Sequence, residues 1–122
     1  MPQRLTRSRR KGYRAPEGAR YVGRPTLFGN PFGAPQFGHA KAVLLHKAWL
    51  KGDLSDYMLE KLHFCPKQID ALRRHRERVL TNLYRLDSLD LICWCPQTSA
   101  WCHANTLLEL APIYAEYERW AA

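Results

Sequence analysis

The chain has 122 residues, of which 46% are hydrophobic and 25% are charged, and this composition is typical of one globular domain rather than two. No apolar run is long enough to span a membrane, and the basic N-terminus lacks the apolar segment of a secretory signal. We therefore expect a cytoplasmic protein with no membrane partner, in which the four cysteines are thiols or metal ligands rather than disulfides.

The net charge of +8 is concentrated near the N-terminus. Residues 1–24 contain eight basic side chains and one acidic side chain, whereas the rest of the chain is nearly neutral. Residues 1–18 also lack apolar periodicity, so we interpret them as an extended basic arm and residues 19–122 as a single domain. A concentrated positive charge attracts polyanions, and a solvated tail without a partner is the alternative. The arm side chains expected to contact nucleic acid are Arg7, Arg9, Arg10, Lys11 and Arg14.

The predicted elements alternate between strands and helices. Residues 20–23 fit a short strand, and a loop punctuated by glycine and proline follows. The predicted helices are residues 39–50, a short segment capped by Ser55, residues 66–86, and a segment from residue 102 to about 111 that Pro112 ends, kinks or restarts. The apolar run 89–94 predicts a buried strand.

Two strands are too few for a stable sheet, so a further strand is expected within residues 5–13 or 33–37. Strands separated by helices indicate an α/β fold. We predict a small single α/β domain with a short, mostly parallel sheet flanked by helices.

Three cysteines and a histidine lie close together between the last predicted strand and the last helix, in Cys-Trp-Cys-Pro-Gln-Thr-Ser-Ala-Trp-Cys-His at residues 93–103. Thiolate and imidazole are the ligands that zinc prefers, so the alternative metal site comprises Cys93, Cys95, Cys102 and His103. The spacing disfavours zinc, because paired cysteines in structural zinc sites are usually separated by two to four residues and the adjacent Cys-His side chains diverge.

The start of the last helix suggests a second role for the same segment. A helix N-terminus presents unpaired N–H groups, which favour a thiolate, a neutral imidazole or a bound phosphate. We take Cys102 and His103 as candidate catalytic side chains, acting as nucleophile or acid–base group, and Cys95 as a candidate ligand-binding residue. The alternative is that these thiols only pack, and we expect Cys93 and Trp94 to lie in the core.

The loop after the first predicted strand supplies further candidates. Asn30 lies between Gly29 and Pro31, which together fix a turn that can aim the Asn30 amide at a ligand. Arg24 can bind a phosphate through its planar guanidinium group. We therefore assign Arg24, Gly29 and Asn30 to ligand binding, with the alternative that Asn30 only hydrogen-bonds its own loop.

Two groups of motifs lie toward opposite ends of the chain. The first comprises Arg-Lys-Gly-Tyr-Arg-Ala-Pro at 10–16, Tyr-Val-Gly-Arg-Pro-Thr at 21–26 and Gly-Asn-Pro-Phe at 29–32. The second comprises Leu-Ile-Cys-Trp-Cys-Pro at 91–96 and Cys-His-Ala-Asn-Thr-Leu-Leu-Glu-Leu at 102–110. Together they resemble a family of small phage and bacterial domains of unknown function. The resemblance implies a compact α/β domain that handles nucleotides or nucleic acid, with Asn105 where the family often has aspartate, and it implies no reaction or cofactor.

These observations predict a domain that binds a phosphate-bearing ligand, a nucleotide or nucleic acid, in a pocket where the loop at 24–32 meets the loop at 95–103. If the protein is an enzyme, we expect it to act on a nucleoside or base, with Asn30 orienting the base and Arg24 holding phosphate. The alternatives are a zinc-stabilised, non-catalytic binding module and a basic accessory protein that coats DNA through its arm.

Overall fold

The computed structural model describes residues 2–95, 99 and 101–121, and this part of the chain forms a small α/β domain. The strands are β1 (Arg4–Thr6), β2 (Ala19–Tyr21) and β3 (Asp90–Cys93). The helices are α1 (Ala34–Phe37), α2 (His39–Lys51), α3 (Asp56–Lys61), α4 (Pro66–Asn82) and α5 (His103–Ala121), and a 3-10 turn spans Leu83–Leu86. None of the helices in these ranges combines the length and apolarity needed to cross a membrane.

The sheet is fully parallel and has β3 at its centre, with β1 and β2 on either side. β1 lies within the segment that we interpreted as an extended arm, so the first part of residues 1–18 belongs to the domain rather than to a free tail. Its three residues are too few to show an alternating pattern, and only their pairing with β3 identifies the strand. Residues 33–37, the other region considered for a strand, contain α1 instead.

Different parts of the chain pack against the two faces of the sheet. Leu91 and Cys93 point into the main core, where α5 packs against β3, β1, α2 and the 3-10 turn. Ile92 points to the other face and is also buried. On that face Ile92 lines a cavity of about 200 Å³ together with Tyr13 and Ala15, so the basic segment after β1 lies against the sheet.

Local sequence explains the main helices. Ser55 accepts a hydrogen bond from the backbone N–H of Met58 and caps α3, and Pro66 occupies the first turn of α4, where its missing N–H costs nothing. α5 runs through Pro112 without ending, and its apolar side chains Leu107 and Ala111 are buried.

The loop between β2 and α2 is held by its aromatic side chains. Phe28 and Phe32 are buried, and the Phe32 ring makes edge-to-face contacts with Trp49 and Phe64 at centroid distances of 5.9 and 6.1 Å. The loop is therefore fixed against α2. It leaves the carboxyl end of β2 beside the segment that leaves β3, at the edge where parallel sheets bind ligands.

Candidate functional site

A cavity of about 390 Å³ opens at the carboxyl edge of the sheet. It lies between the loop after β2, the segment after β3 and the first turns of α2 and α5. Most of its wall is apolar, and the residues with polar side chains in its lining are Tyr21, Arg24, Asn30, His39 and His103. Small-molecule sites are typically apolar clefts of this size with a few polar groups. The structure therefore brings the two loops singled out from the sequence to one cavity.

Arg24, Gly29 and Asn30 form a tightly bonded turn at the cavity wall. The Arg24 guanidinium donates from Nε and Nη2 to the Asn30 carbonyl oxygen at 3.0 and 2.8 Å. A Cβ atom on Gly29 would lie 3.1 Å from both Arg24 Cγ and Arg24 N, so any other residue here would push against Arg24. The first role of Arg24 in this structure is to close the turn.

The Asn30 side-chain amide makes hydrogen bonds within the protein. Nδ2 donates to the Ala42 carbonyl oxygen of α2 at 3.0 Å, and Oδ1 accepts from the Phe32 N–H at 2.9 Å. This is the alternative considered from the sequence, in which the amide secures its own loop. One amide hydrogen and one lone pair remain for a ligand.

His103 is the first residue of α5 and lines the cavity. Its Nε2 lies 2.9 Å from the Val22 carbonyl oxygen, and because a carbonyl only accepts, Nε2 carries the hydrogen. The ring also stands edge-to-face against His46, with centroids 5.4 Å apart. These contacts on two sides fix the orientation of the imidazole.

His46 lies beneath His103 and is only 1% exposed. Its Nδ1 has no hydrogen-bond partner in the described part of the chain. Burial, together with the neighbouring His103 and His75, lowers the pKa of His46 to about 3. His46 is therefore neutral at physiological pH.

The Sγ atoms of Cys93, Cys95 and Cys102 all lie within 4.8 Å of one another. Residues two apart in an extended segment point to the same side, so the Cys-x-Cys spacing places Cys93 and Cys95 together. The spacing that counted against a metal in the sequence therefore does not keep these thiols apart. His103 is not part of this cluster, because neither of its ring nitrogens lies within 4.8 Å of all three Sγ atoms.

Cys102 is the most acidic thiol of the three-cysteine cluster. The hydrogen bond between the Cys93 and Cys102 thiols, at an Sγ–Sγ distance of 3.3 Å, is the main cause that lowers the pKa of Cys102 to about 3. Further hydrogen bonds from His103, the Ala104 N–H and Arg4 act in the same direction, and burial opposes them. The pKa of Cys93 is raised by the same hydrogen bond and by burial. The cluster thus favours a thiolate at Cys102 shared with a neighbouring thiol.

The three cysteines differ in access to the cavity. Cys95 is half-buried and lines it together with the buried Cys93, whereas Cys102 is 0% exposed and does not line it. A nucleophile must reach its substrate, so the buried position of Cys102 separates this thiolate from a ligand in the cavity. His103 is the one of the two candidate catalytic residues that faces the cavity directly.

Sequence reasoning missed the contacts made by the N-terminal segment. Arg4 in β1 donates to the Ser99 carbonyl oxygen at 2.8 Å and hydrogen-bonds Cys102. The Arg7 guanidinium lies over the rings of Tyr21 and Trp94, at 4.5 and 5.1 Å from their centroids. These contacts connect the basic segment to the site. The sequence did not predict them, because a three-residue strand within a basic stretch has no recognisable pattern.

Trp94 was expected in the core but is 43% exposed, because β3 ends one residue before it. It lines the cavity, and Arg9 lies over its ring at 4.7 Å from the centroid. The other arm residues, Arg10, Lys11 and Arg14, are exposed and do not line the cavity. Of the five predicted arm residues, Arg7 and Arg9 thus contact aromatic side chains of the cavity lining, and none of the five lines the cavity itself.

The chain matches the model of a domain of unknown function, DUF4326, over residues 5–112. It belongs to this family. The match begins within β1 and ends inside α5, so the cavity and the three-cysteine cluster both lie within the family's domain. No curated protein and no solved structure shows significant similarity to the chain.

Proposed function

We propose that the cavity binds a nucleotide, either free or as a residue of a single-stranded nucleic acid. One observation carries this proposal: Arg7 and Arg9 lie over aromatic rings, those of Tyr21 and Trp94, that line an otherwise apolar cavity. The two guanidinium groups beside these rings attract phosphate, and the apolar interior of the cavity suits a base or ribose.

The proposed orientation follows from the two kinds of surface. The base enters the cavity and contacts the side chains of Phe32, Val43 and Trp94, which are apolar or aromatic. Stacking of a base on an aromatic side chain contributes about 1–3 kcal/mol. The remaining amide hydrogen of Asn30 is available to an acceptor on the base, and the phosphate lies toward Arg7 and Arg9. If the bound nucleotide reacts, His103 rather than Cys102 contacts it.

Paired tryptophan variants test the base contact. Trp94 and Trp101 are both 43% exposed and lie in the same segment, but only Trp94 lines the cavity. Trp94→Ala should weaken nucleotide binding, measured by isothermal titration calorimetry, by on the order of tenfold, equivalent to about 1.4 kcal/mol. Trp101→Ala should leave the dissociation constant within about twofold, a free-energy change of only about 0.4 kcal/mol. Equal losses in both variants would contradict the proposed site.

Paired arginine variants test the phosphate contact. A nucleoside monophosphate should bind more tightly than its nucleoside, and Arg7→Ala should reduce that difference. Arg10→Ala, which removes an exposed cation from the same segment, should preserve it. If both variants weaken binding equally and the affinity falls steeply with salt, the segment acts as diffuse charge, which is the DNA-coating alternative.

The second candidate function is a zinc-stabilised binding module, and the convergence of Cys93, Cys95 and Cys102 favours it. The two functions are compatible, because the three-cysteine cluster borders the cavity. About one equivalent of zinc in protein purified without added metal, together with loss of the fold on chelation, would support this candidate. A metal-free protein that stays folded would exclude it.

A further inference from the structure

We propose that Cys93, Cys95 and Cys102 bind one zinc ion through three sulfur atoms, and that the fourth coordination position opens to the cavity, where an entering ligand fills it. The proposal concerns the kind of metal site. Structural zinc sites have four protein ligands, whereas sites that act on a ligand have three protein ligands and an open position.

The sulfur positions suit a zinc ion. With Zn–S bonds of about 2.3 Å and tetrahedral angles, two thiolates lie about 3.8 Å apart. The three Sγ atoms are all within 4.8 Å of one another, and one pair is 3.3 Å apart. Small side-chain rotations therefore bring all three to bonding distance of one ion.

The described part of the chain places no fourth ligand at the cluster. Residues 96–101 are Pro, Gln, Thr, Ser, Ala and Trp, none of which is a usual zinc ligand. Among the described residues, no other cysteine, histidine or carboxylate joins the group. His103, the remaining member of the sequence-based ligand set, stays outside the group because neither ring nitrogen lies within 4.8 Å of all three Sγ atoms. The site therefore has three protein ligands.

The open position faces the cavity because of how the three cysteines are arranged. Cys93 and Cys95 line the cavity, and Cys102 is buried behind them at the start of α5. An ion held by all three therefore borders the cavity wall.

The surrounding charges suit this ion. Three thiolates and one Zn²⁺ carry a net charge of −1. The guanidinium of Arg4 and the N–H of Ala104 both hydrogen-bond Cys102 and offset that charge. Arg4 thus has a role that the basic composition of the segment alone does not explain.

The kind of ligand that fills the fourth coordination position follows from the proposed nucleotide binding, and this part of the inference rests on that proposal. The group entering deepest is the base, whose ring nitrogens and carbonyl oxygens are good zinc ligands. A zinc ion with an open position polarises a carbonyl or activates a water molecule. The cavity would then combine recognition of the base with a Lewis acid.

Metal content and cobalt spectroscopy test the three-sulfur site. The full chain purified without added metal should contain one equivalent of zinc, and so should Cys65→Ser, which changes an exposed thiol outside the cluster. Cobalt replacing zinc should show thiolate-to-cobalt charge transfer, which weakens in Cys95→Ser. If Cys95→Ser does not fold, the presence or absence of thiolate-to-cobalt charge transfer in the wild-type protein decides whether thiolates bind the metal. Absence of zinc and of cobalt uptake, or a Cys93–Cys102 disulfide that excludes the metal, would overturn the proposal.

Imidazole tests the open position independently of any nucleotide. Imidazole added to the cobalt protein should shift the visible cobalt bands in a saturable way, and a spectrum that does not change would show a closed site. A nucleoside should then compete with imidazole. Nucleotide binding without cobalt uptake would overturn only the metal site, whereas an imidazole shift without nucleotide binding would overturn only the proposed function.

Discussion

Acidification should destabilise the protein through His46. The folded protein holds this side chain neutral, since burial lowers its pKa from the ordinary value of 6.5 to about 3, whereas the unfolded chain accepts a proton near 6.5. Because the folded pKa is depressed, the free energy of unfolding falls as the pH drops from 6.5 toward 3. The slope is about 1.4 kcal/mol per pH unit, so the loss between pH 7 and pH 5 is about 2 kcal/mol.

Urea unfolding at pH 5, 6 and 7 measures this effect when the wild type is compared with His46→Leu. Leucine is apolar and removes both the titrating group and the unpartnered Nδ1. Carboxyl groups, such as that of Glu109 with its pKa lowered by Lys51, contribute equally to the pH dependence of both proteins, so their contributions cancel in the comparison. The wild type should lose about 2 kcal/mol more than the variant.

A second histidine variant controls for the general effect of removing a histidine. His63 is exposed and has a φ of 72°, a conformation that asparagine tolerates, so His63→Asn should keep the wild-type pH dependence. Parallel pH profiles for the wild type and His46→Leu would refute the reasoning, because they would show that His46 does not remain neutral in the folded state.

Three further predictions concern packing, the turn at Gly29 and surface charge. Leu107→Ala, which truncates a buried side chain of α5, should lower the free energy of unfolding by about 3 kcal/mol in urea titrations, and a loss below about 1 kcal/mol would contradict the packing described. Gly29→Ala should displace Arg24 and weaken nucleotide binding in calorimetry, whereas Gly33→Ala, whose Cβ would meet atoms only at 3.8 Å, should not; similar affinities would exclude a role for the turn. Lys51→Ala removes an exposed ion pair with Glu109 and should change stability by less than about 1 kcal/mol, a limit that thermal and urea unfolding can check.

Local patterns were sufficient for the elements whose signals lie within a few residues. Ser55 and Pro66 mark helix starts that the structure contains, and the apolar run at 89–94 predicted the central strand. The parallel α/β architecture followed from the order of these elements. The meeting of two loops at the carboxyl edge followed from the same architecture.

Long-range pairing and the exact end of a strand were beyond local reasoning. β1 has three residues and exists because of its partner, which lies more than eighty residues away in the sequence. The end of β3 at Cys93 instead of residue 94 exposes Trp94. A difference of one residue thus changed the role of a tryptophan.

The strand order has a consequence for biosynthesis. Both outer strands pair only with β3, which is made last of the three, and the backbone N–H of Gln3 caps the sheet by bonding Asp90 across 87 residues. No part of the sheet can assemble on the ribosome until β3 has emerged. The nascent chain therefore keeps Leu5 and its neighbours without a strand partner while the residues between β2 and β3 are made, and the thiols are brought together only after β3.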